Sequence, residues 1–459
     1  MIQDTIAAVA TPFAPGGIGI IRASGPGVEG IARRLFRPTK GRPCPFNSHH
    51  LYLGDIICPD TGAILDEALV TIMRSPRSYT GEDTLEIQAH GGLLVMQRLL
   101  RAVLKAGSRP ADPGEFTRRA FLNNRIDLSQ AEAIAEIINA RTEGGLEIAL
   151  ARLKGDLADL SRGLRDEVIE LLGILEASID FDEYDLDREG QINPMEKIRS
   201  LEGRISDLLA TYQKGKMLAA GISVVIVGRP NVGKSSLLNA LLGERRAIVT
   251  PVAGTTRDLI EDTLEIGDMA MRIVDTAGIR EGADLIEREG IELVRERLST
   301  ADMAVVVVDG SEEPQKEDLE IIEGNLRLPL VVFLNKSDLP QKVHPESFST
   351  LAPGIVFIQG SAKLNHQVPE LKEAIYNLIQ QEKGEAQSSV MVTNLRHKLA
   401  LEKADAFLQQ ARIALEEGIS PELILLDLRE AADALGEITG KILCDDVLDK
   451  IFSTFCVGK

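Results

Sequence analysis

The run Gly228-Arg229-Pro230-Asn231-Val232-Gly233-Lys234-Ser235 constrains this 459-residue chain more than any other feature. It follows the apolar stretch Ile222 to Val227 and leads into a helix-forming stretch from Ser236. A turn of this kind, closed by Lys-Ser between strand and helix, is a Walker A loop. Its backbone N–H groups curl round a β-phosphate, Lys234 reaches the β and γ oxygens, and the Ser235 hydroxyl ligates Mg²⁺. A glycine turn arising by chance would lack the Lys-Ser pair. The loop predicts a doubly wound, mainly parallel sheet, and the chain is too long for that domain alone.

The alternation needed for such a sheet is present between about 218 and 382. Strand candidates Ser223 to Val227, Arg272 to Val274, Ala304 to Val308, Leu330 to Leu334 and Ile355 to Ile358 are separated by helical segments. Residues 1–121 read as a mixed α/β domain, with strand-like Gly19 to Arg22, Glu67 to Met73 and Thr84 to Gln88 between Pro- and Gly-rich turns. From Leu128 the period becomes helical, and Ser129 and Glu132 are spaced as a capping box ahead of Ile134, Ile137 and Ile138. Long helices continue to residue 217, interrupted by the acidic stretch Asp180 to Asp187, which reads as a solvated loop. The tail, 383–459, returns to amphipathic helix, including Pro421 to Leu435 and Asp445 to Phe452. Alone it would bury its apolar face poorly, so it is expected to pack on residues 122–217. The expected fold is multidomain, α/β plus all-α. An N-terminal α/β domain (1–121) precedes a discontinuous helical domain (122–217 and 383–459), into which a Ras-like P-loop domain (218–382) is inserted.

Composition narrows the setting. Cys44, Cys58, Cys444 and Cys456 form no C-x-x-C pair and have no neighbouring His at ligand spacing, which argues against disulfides and structural zinc. No apolar run approaches the roughly 18 residues needed to cross a bilayer, and the N-terminus has no secretion signal, so a soluble cytoplasmic protein is expected. The final Cys456-Val457-Gly458-Lys459 is not a prenylation box, because Gly458 is not aliphatic. A net charge of -19 repels RNA. Any nucleic-acid contact therefore needs a local basic patch, or a partner that supplies one.

Four further elements follow the Walker loop in the order used by GTPases. Asp275-Thr276-Ala277-Gly278 ends a strand, where a carboxylate can hold Mg²⁺ through water and the Gly278 amide can face a γ-phosphate. Asn335-Lys336-Ser337-Asp338 closes another, and the Asp338 carboxylate can accept from guanine N1–H and its exocyclic amine. Ser361-Ala362-Lys363 completes a base pocket, with the Ala362 amide donating to O6. A site with those acceptors discriminates strongly for GTP. Thr250-Pro251-Val252-Ala253-Gly254-Thr255-Thr256 occupies the place of the first switch, with Thr256 as the second Mg²⁺ hydroxyl. With Ser236, these elements and Asn231 to Ser235 make up the expected GTP site.

Ile279 stands where many small GTPases carry a water-positioning Gln. Glu287 is the nearest plausible carboxylate, and an exposed helix glutamate is the alternative reading. No arginine finger is evident. Asn231 and the carbonyl-rich switch could instead hold a monovalent cation against the phosphates. His90, beside two glycines, reads as a turn residue rather than a base.

The whole chain resembles the tRNA-modifying GTPase family MnmE (TrmE). Beyond the GTPase motifs, the resemblance rests on Tyr79-Thr80-Gly81-Glu82-Asp83, His90-Gly91-Gly92, Pro113-Gly114-Glu115-Phe116-Thr117, Ala120-Phe121-Leu122-Asn123, Asp127 to Ala133, Gly254 to Asp258, and Phe455-Cys456-Val457-Gly458-Lys459. It implies a homodimer that works with tRNA and a flavoprotein, MnmG (GidA), in a heterotetramer, with FAD held only by that partner. The implied reaction installs an aminomethyl or carboxymethylaminomethyl group on C5 of the wobble uridine, U34. The methylene carbon would come from a one-carbon tetrahydrofolate, 5-formyl or methylene. GTP hydrolysis would be potassium-stimulated, with K⁺ on Asn231, the carbonyls of Thr250 and Val252, and Thr255. Glu287 would orient water, and Lys234 would be the second catalytic group. The N-terminal domain is similar to folate-binding domains, with the family's contacts falling on Arg22, Glu86, Arg125 and Lys459. Arg125 stands where relatives can carry Lys. The alternative reading is a ribosome-assembly switch GTPase, but the tail has no K-homology G-x-x-G loop in a basic setting.

Overall fold

A computed structural model describes residues 4–39, 46–140, 142–180, 193–243, 262–266, 269–275, 301–343, 348, 355–381, 390–441 and 445–459. Seven of its strands come from the first quarter of the chain: β1 (Ile6–Val9), β2 (Gly16–Ser24), β3 (Phe36–Pro38), β4 (Tyr52–Ile57), β5 (Ile64–Met73), β6 (Thr84–Gly91) and β7 (Arg109–Pro110). They form one sheet in the order β3-β4-β5-β6-β2-β1-β7, antiparallel except for β1 beside β7. Helix Leu93–Lys105 buries Met96, Leu99, Ala102 and Val103, spaced as one helical face. It lies with helix Val28–Leu35 on a single side of the sheet, closing the core over Ile21, Ile56, Val70, Ile72 and Leu85. The other side is covered at β1, where Ile6 and Ala8 pack with Ala111 and Phe116, but Ile18, Leu53 and Leu69 are exposed on it.

Helix Glu115–Leu122 leads out of this layer and carries Arg119, which is fully buried among Asp4, Glu82 and Glu115. Helix Leu128–Asn139 follows, and its cap differs from the sequence reading. The capping box is Asp127 with Gln130: Asp127 Oδ1 accepts from the Gln130 amide at 3.0 Å, and Gln130 Oε1 accepts from the Asp127 amide at 2.9 Å. Ser129 is already helical and donates to Asp127 Oδ1. Glu132 turns inward to Arg396 and His397.

Helices Asp156–Asp180, Pro194–Ala210, Leu395–Glu416 and Pro421–Thr439 share one apolar core, in which Leu164, Val168 and Leu201 meet Leu401, Leu428 and Leu435. Burying each such leucine is worth about 2 kcal/mol, so segments on either side of the nucleotide domain fold as one body. The last helix, Asp445–Ser453, goes elsewhere. Phe452 and Phe455 pack with Leu128 and Ala131, while Gly458 lies so close to β1 that a Cβ there would sit 2.2 Å from the Val9 carbonyl oxygen. The tail thus packs on the helical segment, as expected, and also reaches the N-terminal layer. Of the acidic stretch, residues 181–187 lie outside the described residues.

The second sheet runs β13-β12-β11-β8-β10-β9, from β8 (Ile222–Val227), β9 (Asp262–Ile266), β10 (Met269–Asp275), β11 (Met303–Asp309), β12 (Leu330–Asn335) and β13 (Val356–Gln359). All neighbours are parallel except β9 beside β10. Strand alternation explains the valine runs. Met303, Val305 and Val307 enter the core on one face, and Ala304, Val306 and Val308 enter the core on the other. Helix Tyr212–Ala220 spans the expected limit between residues 217 and 218. The two chain crossings are pinned together there: the Val392 amide donates to Thr211 Oγ1 at 3.0 Å, and Thr142 Oγ1 donates to the Leu218 carbonyl at 2.9 Å.

Candidate functional site

In a doubly wound sheet, ligands bind at the carboxyl ends of the strands, and the phosphate loop leaves the carboxyl end of β8. Gly228 has φ +153°, and a Cβ there would come within 2.4 Å of the Val307 carbonyl oxygen, so only glycine fits. Asn231 is left-handed at φ +65°, and Gly233 caps helix Lys234–Leu242 at φ +99°. Lys234 Nζ donates to the carbonyl oxygens of Gly228 at 2.9 Å and Arg229 at 2.7 Å, which folds the loop over the helix N-terminus. Ser235 and Ser236 are exposed in that first turn. Arg229 Nε donates to the buried Asp318 at 2.7 Å, anchoring the loop to helix Lys316–Gly324.

β12 ends beside this loop. Buried Asn335 donates from Nδ2 to the Val232 carbonyl at 2.9 Å and accepts at Oδ1 from the Ala362 amide at 2.9 Å. Lys336, at φ +66°, pairs with Asp309 at the end of β11. Burial alone would raise the Asp309 carboxyl, but the bonds from Lys336 and Ser311 outweigh it and hold the group below the usual range. The Ser337 amide donates to the Gly360 carbonyl at 3.0 Å. Ser361 Oγ donates to Asp338 Oδ1 at 2.7 Å, and this bond, with the nearby charges of Lys363 and Lys336, keeps Asp338 ionised to lower pH than usual. The structure therefore brings Asn231 to Ser236, Asn335 to Asp338 and Ser361 to Lys363 to one edge of the sheet. Asp275 ends β10 opposite Ile226 of β8, so its backbone reaches the same edge. Thr250 to Thr256, Thr276, Ala277, Gly278 and Glu287 lie outside the described residues.

A second constellation lies on the face of the first sheet opposite its two helices. Arg22 and Glu86 are cross-strand partners on β2 and β6 and form an ion pair at 2.8 Å. The Arg22 guanidinium stacks 5.1 Å from the Tyr79 ring centroid and 5.9 Å from that of Phe116. Lys459 is carried to this place by the tail, and burial together with the Arg22 charge holds its ammonium below the usual lysine range. Arg125 is also near Tyr79. It lines an open cleft of about 600 Å³ with His49, Met73, Pro76, Arg77, Ser78 and Tyr79, and its Nε donates to the Ser78 carbonyl at 3.4 Å. Arg22, Glu86 and Lys459 thus lie near one another, and Arg125 shares Tyr79 as a neighbour. The aromatic floor of Tyr79 and Phe116 is a site feature that sequence reasoning missed, although both lie in sequence blocks singled out above. His90 is exposed and bonded through Nδ1 to Asp66 at 2.8 Å. Among the described residues, no group of three or more His, Cys, Asp or Glu could hold a metal ion, and no helix is long and apolar enough to cross a membrane.

The sheet order, phosphate loop and base loop define a P-loop nucleotide-binding protein with GTPase-type motifs. Residues 5–125 match the family description "GTP-binding protein TrmE N-terminus", and residues 128–456 match "MnmE helical domain". Along its full length the chain is 48% identical to the tRNA modification GTPase MnmE of Syntrophus aciditrophicus, covering 100% of both chains. It is 47% identical to that of Heliobacterium modesticaldum, again covering 100% of both. The chain belongs to the MnmE family of tRNA modification GTPases.

Proposed function

We propose that this chain is a potassium-dependent GTPase that, with the flavoprotein MnmG, modifies C5 of the wobble uridine U34 of certain tRNAs using a one-carbon tetrahydrofolate. The observation that carries this reading is the pairing, in one chain, of a phosphate loop locked to a guanine-type base loop through Asn335 with a separate Arg22–Glu86–Lys459 constellation. The first suits a nucleoside triphosphate. The second suits a planar ligand bearing carboxylates, because cations and two aromatic rings face one spot.

In this reading Lys234 and the first-turn amides take the β- and γ-phosphates, and Asp338 with Ala362 selects guanine. Asp275 to Gly278 sense the nucleotide state. Ser235 and Thr256 would hold Mg²⁺, which offsets the phosphate charge; Ser235 is an exposed hydroxyl beside Lys234, as that role requires. Asn231, Thr250, Val252 and Thr255 would hold K⁺, which supplies positive charge where it develops. The hard oxygen of exposed Asn231 fits that ion. Glu287 orients the attacking water. Arg22, Glu86, Arg125 and Lys459 would hold the folate, which supplies the carbon. FAD would be carried by the partner alone.

A homodimer through residues 1–121 is supported by the exposed part of the first sheet's face opposite its two helices, where Leu53 and Leu69 are exposed cross-strand neighbours and Ile18 is 70% exposed. The domain limits 1–121, 122–217, 218–382 and 383–459, and a cytoplasmic location, belong to the same reading. The test is GTP turnover by the purified chain in KCl against NaCl, with Lys234→Ala as control. Turnover is expected to be faster in K⁺ and lost in the variant. Equal rates in both salts would remove the potassium claim, and no turnover would remove the GTPase.

A further inference from the structure

A chain of net charge -19 repels RNA unless one surface carries the opposite sign. Residues 1–121 contain 14 Lys and Arg against 11 Asp and Glu, whereas the rest of the chain contains 37 against 59. The first domain is therefore net basic in an acidic molecule, and its cations are not spread evenly. Helices Val28–Leu35 and Leu93–Lys105 bury their apolar sides against the sheet, so their polar sides form one outer layer. On that layer Arg33, Arg34, Arg98, Arg101 and Lys105 are all exposed.

Arg98, Arg101 and Lys105 fall at i, i+3 and i+7, a single helix stripe about 10 Å long. Arg34 Nη1 donates to the Ala106 carbonyl at 3.0 Å, which ties the cations of one helix to the end of the other. Among the described residues the layer's acids are already engaged: Glu29 pairs with Arg33 and Arg74, and Asp60 with Lys105. Arg98 and Arg101 form no ion pair among the described residues. Exposed guanidiniums left unpaired in a row, on the one net-basic domain, are what a phosphate backbone requires.

We propose that this outer helical layer grips the phosphate backbone of the tRNA, with Arg98 and Arg101 at its centre. The inference rests on the tRNA-modification reading and adds the surface to it. The layer lies opposite the sheet face that carries exposed Ile18, Leu53 and Leu69, so a dimer closed on that face leaves both basic layers free.

The experiment is a titration of labelled substrate tRNA with the full-length chain over a range of KCl concentrations, followed by anisotropy. Wild type is compared with Arg98→Glu/Arg101→Glu and with the milder Arg98→Gln/Arg101→Gln. GTP turnover and melting temperature are expected to be unchanged in both, which shows that they fold. Binding is expected to weaken at least tenfold at low salt, with the slope of log K against log salt shallower by roughly 1.5 to 2, as for two lost phosphate contacts. Should the glutamate pair fail to fold, the glutamine pair must still show the shallower slope. Unchanged affinity and slope overturn the assignment. So does unchanged tRNA binding accompanied by lost co-elution with the flavoprotein, which would give the layer to a protein. A wild-type chain that binds no tRNA at any salt would overturn the tRNA reading along with the surface.

Discussion

Asn335 holds Val232 by a buried hydrogen bond of 2.9 Å, and through its other amide atom holds Ala362 at the same distance. The end of β12 therefore fixes the phosphate loop and the base loop relative to each other. Asn335→Ala would leave a buried carbonyl and a buried amide unpaired, at about 1–3 kcal/mol each. GTP and GDP affinity, measured by calorimetry, is expected to fall at least tenfold, with a lower melting temperature. Gly233 touches the same point, since a Cβ there would lie 2.3 Å from Asn335 Nδ2. Gly233→Ala is expected to be costly alone, and less so on the Asn335→Ala background, where the clashing atom is gone. Strict additivity in the double variant would contradict this.

Base selection is expected to reside in Asp338, which Ser361 orients at 2.7 Å. Asp338→Asn replaces an acceptor by a donor, so GTP affinity should fall about a hundredfold while xanthosine triphosphate gains. Competition between the two nucleotides reads this directly, and unchanged guanine preference would refute the pocket.

Acid sensitivity is expected from the junction of helices Leu128–Asn139 and Leu395–Glu416. Burial opposes charge on Glu132, but His397 and Arg396 outweigh it and hold the carboxyl at about 2, against an ordinary 4.5. Burial pushes the His397 imidazole down to about 4 from 6.5, despite the attraction of Glu132. Below pH 6.5 the unfolded imidazole takes up a proton that the folded one refuses, so stability falls from there to about pH 4. The Glu132 contribution is full above pH 4.5 and is lost as pH falls toward 2. Both slopes have the same sign. Urea midpoints measured between pH 7 and 4 should decline, and His397→Gln should flatten that decline; a flat wild-type profile would contradict the assignment.

Legibility in the sequence follows how local each signal is. The Walker loop, Asn335 to Asp338 and Ser361 to Lys363 are short runs tied to strand ends, and strands β8, β11 and β12 lie within a few residues of their expected places because each is buried on both faces. The edge strand β9 escapes such a reading because Asp262 and Glu265 interrupt it, and β1 because its apolar run is only four residues long with two alanines in it. The helix cap falls on Asp127 rather than Ser129, since two overlapping capping-box patterns fit the same stretch and only backbone geometry separates them. The aromatic floor under Arg22 comes from two segments joined only by tertiary packing, and local sequence carries no sign of that meeting. The outer basic layer is hidden in the same way, because its cations are interleaved with apolar residues and collect only when two distant helices share a face.

Mass spectrometry of wobble-uridine nucleosides reads the proposed activity most directly, in tRNA from cells lacking this protein and complemented with wild type or with Glu287→Ala. The C5 modification is expected to disappear on deletion, to return with wild type, and not to return with the variant. Unaltered nucleosides in the deletion strain would contradict the modification role, leaving a GTPase whose work lies elsewhere.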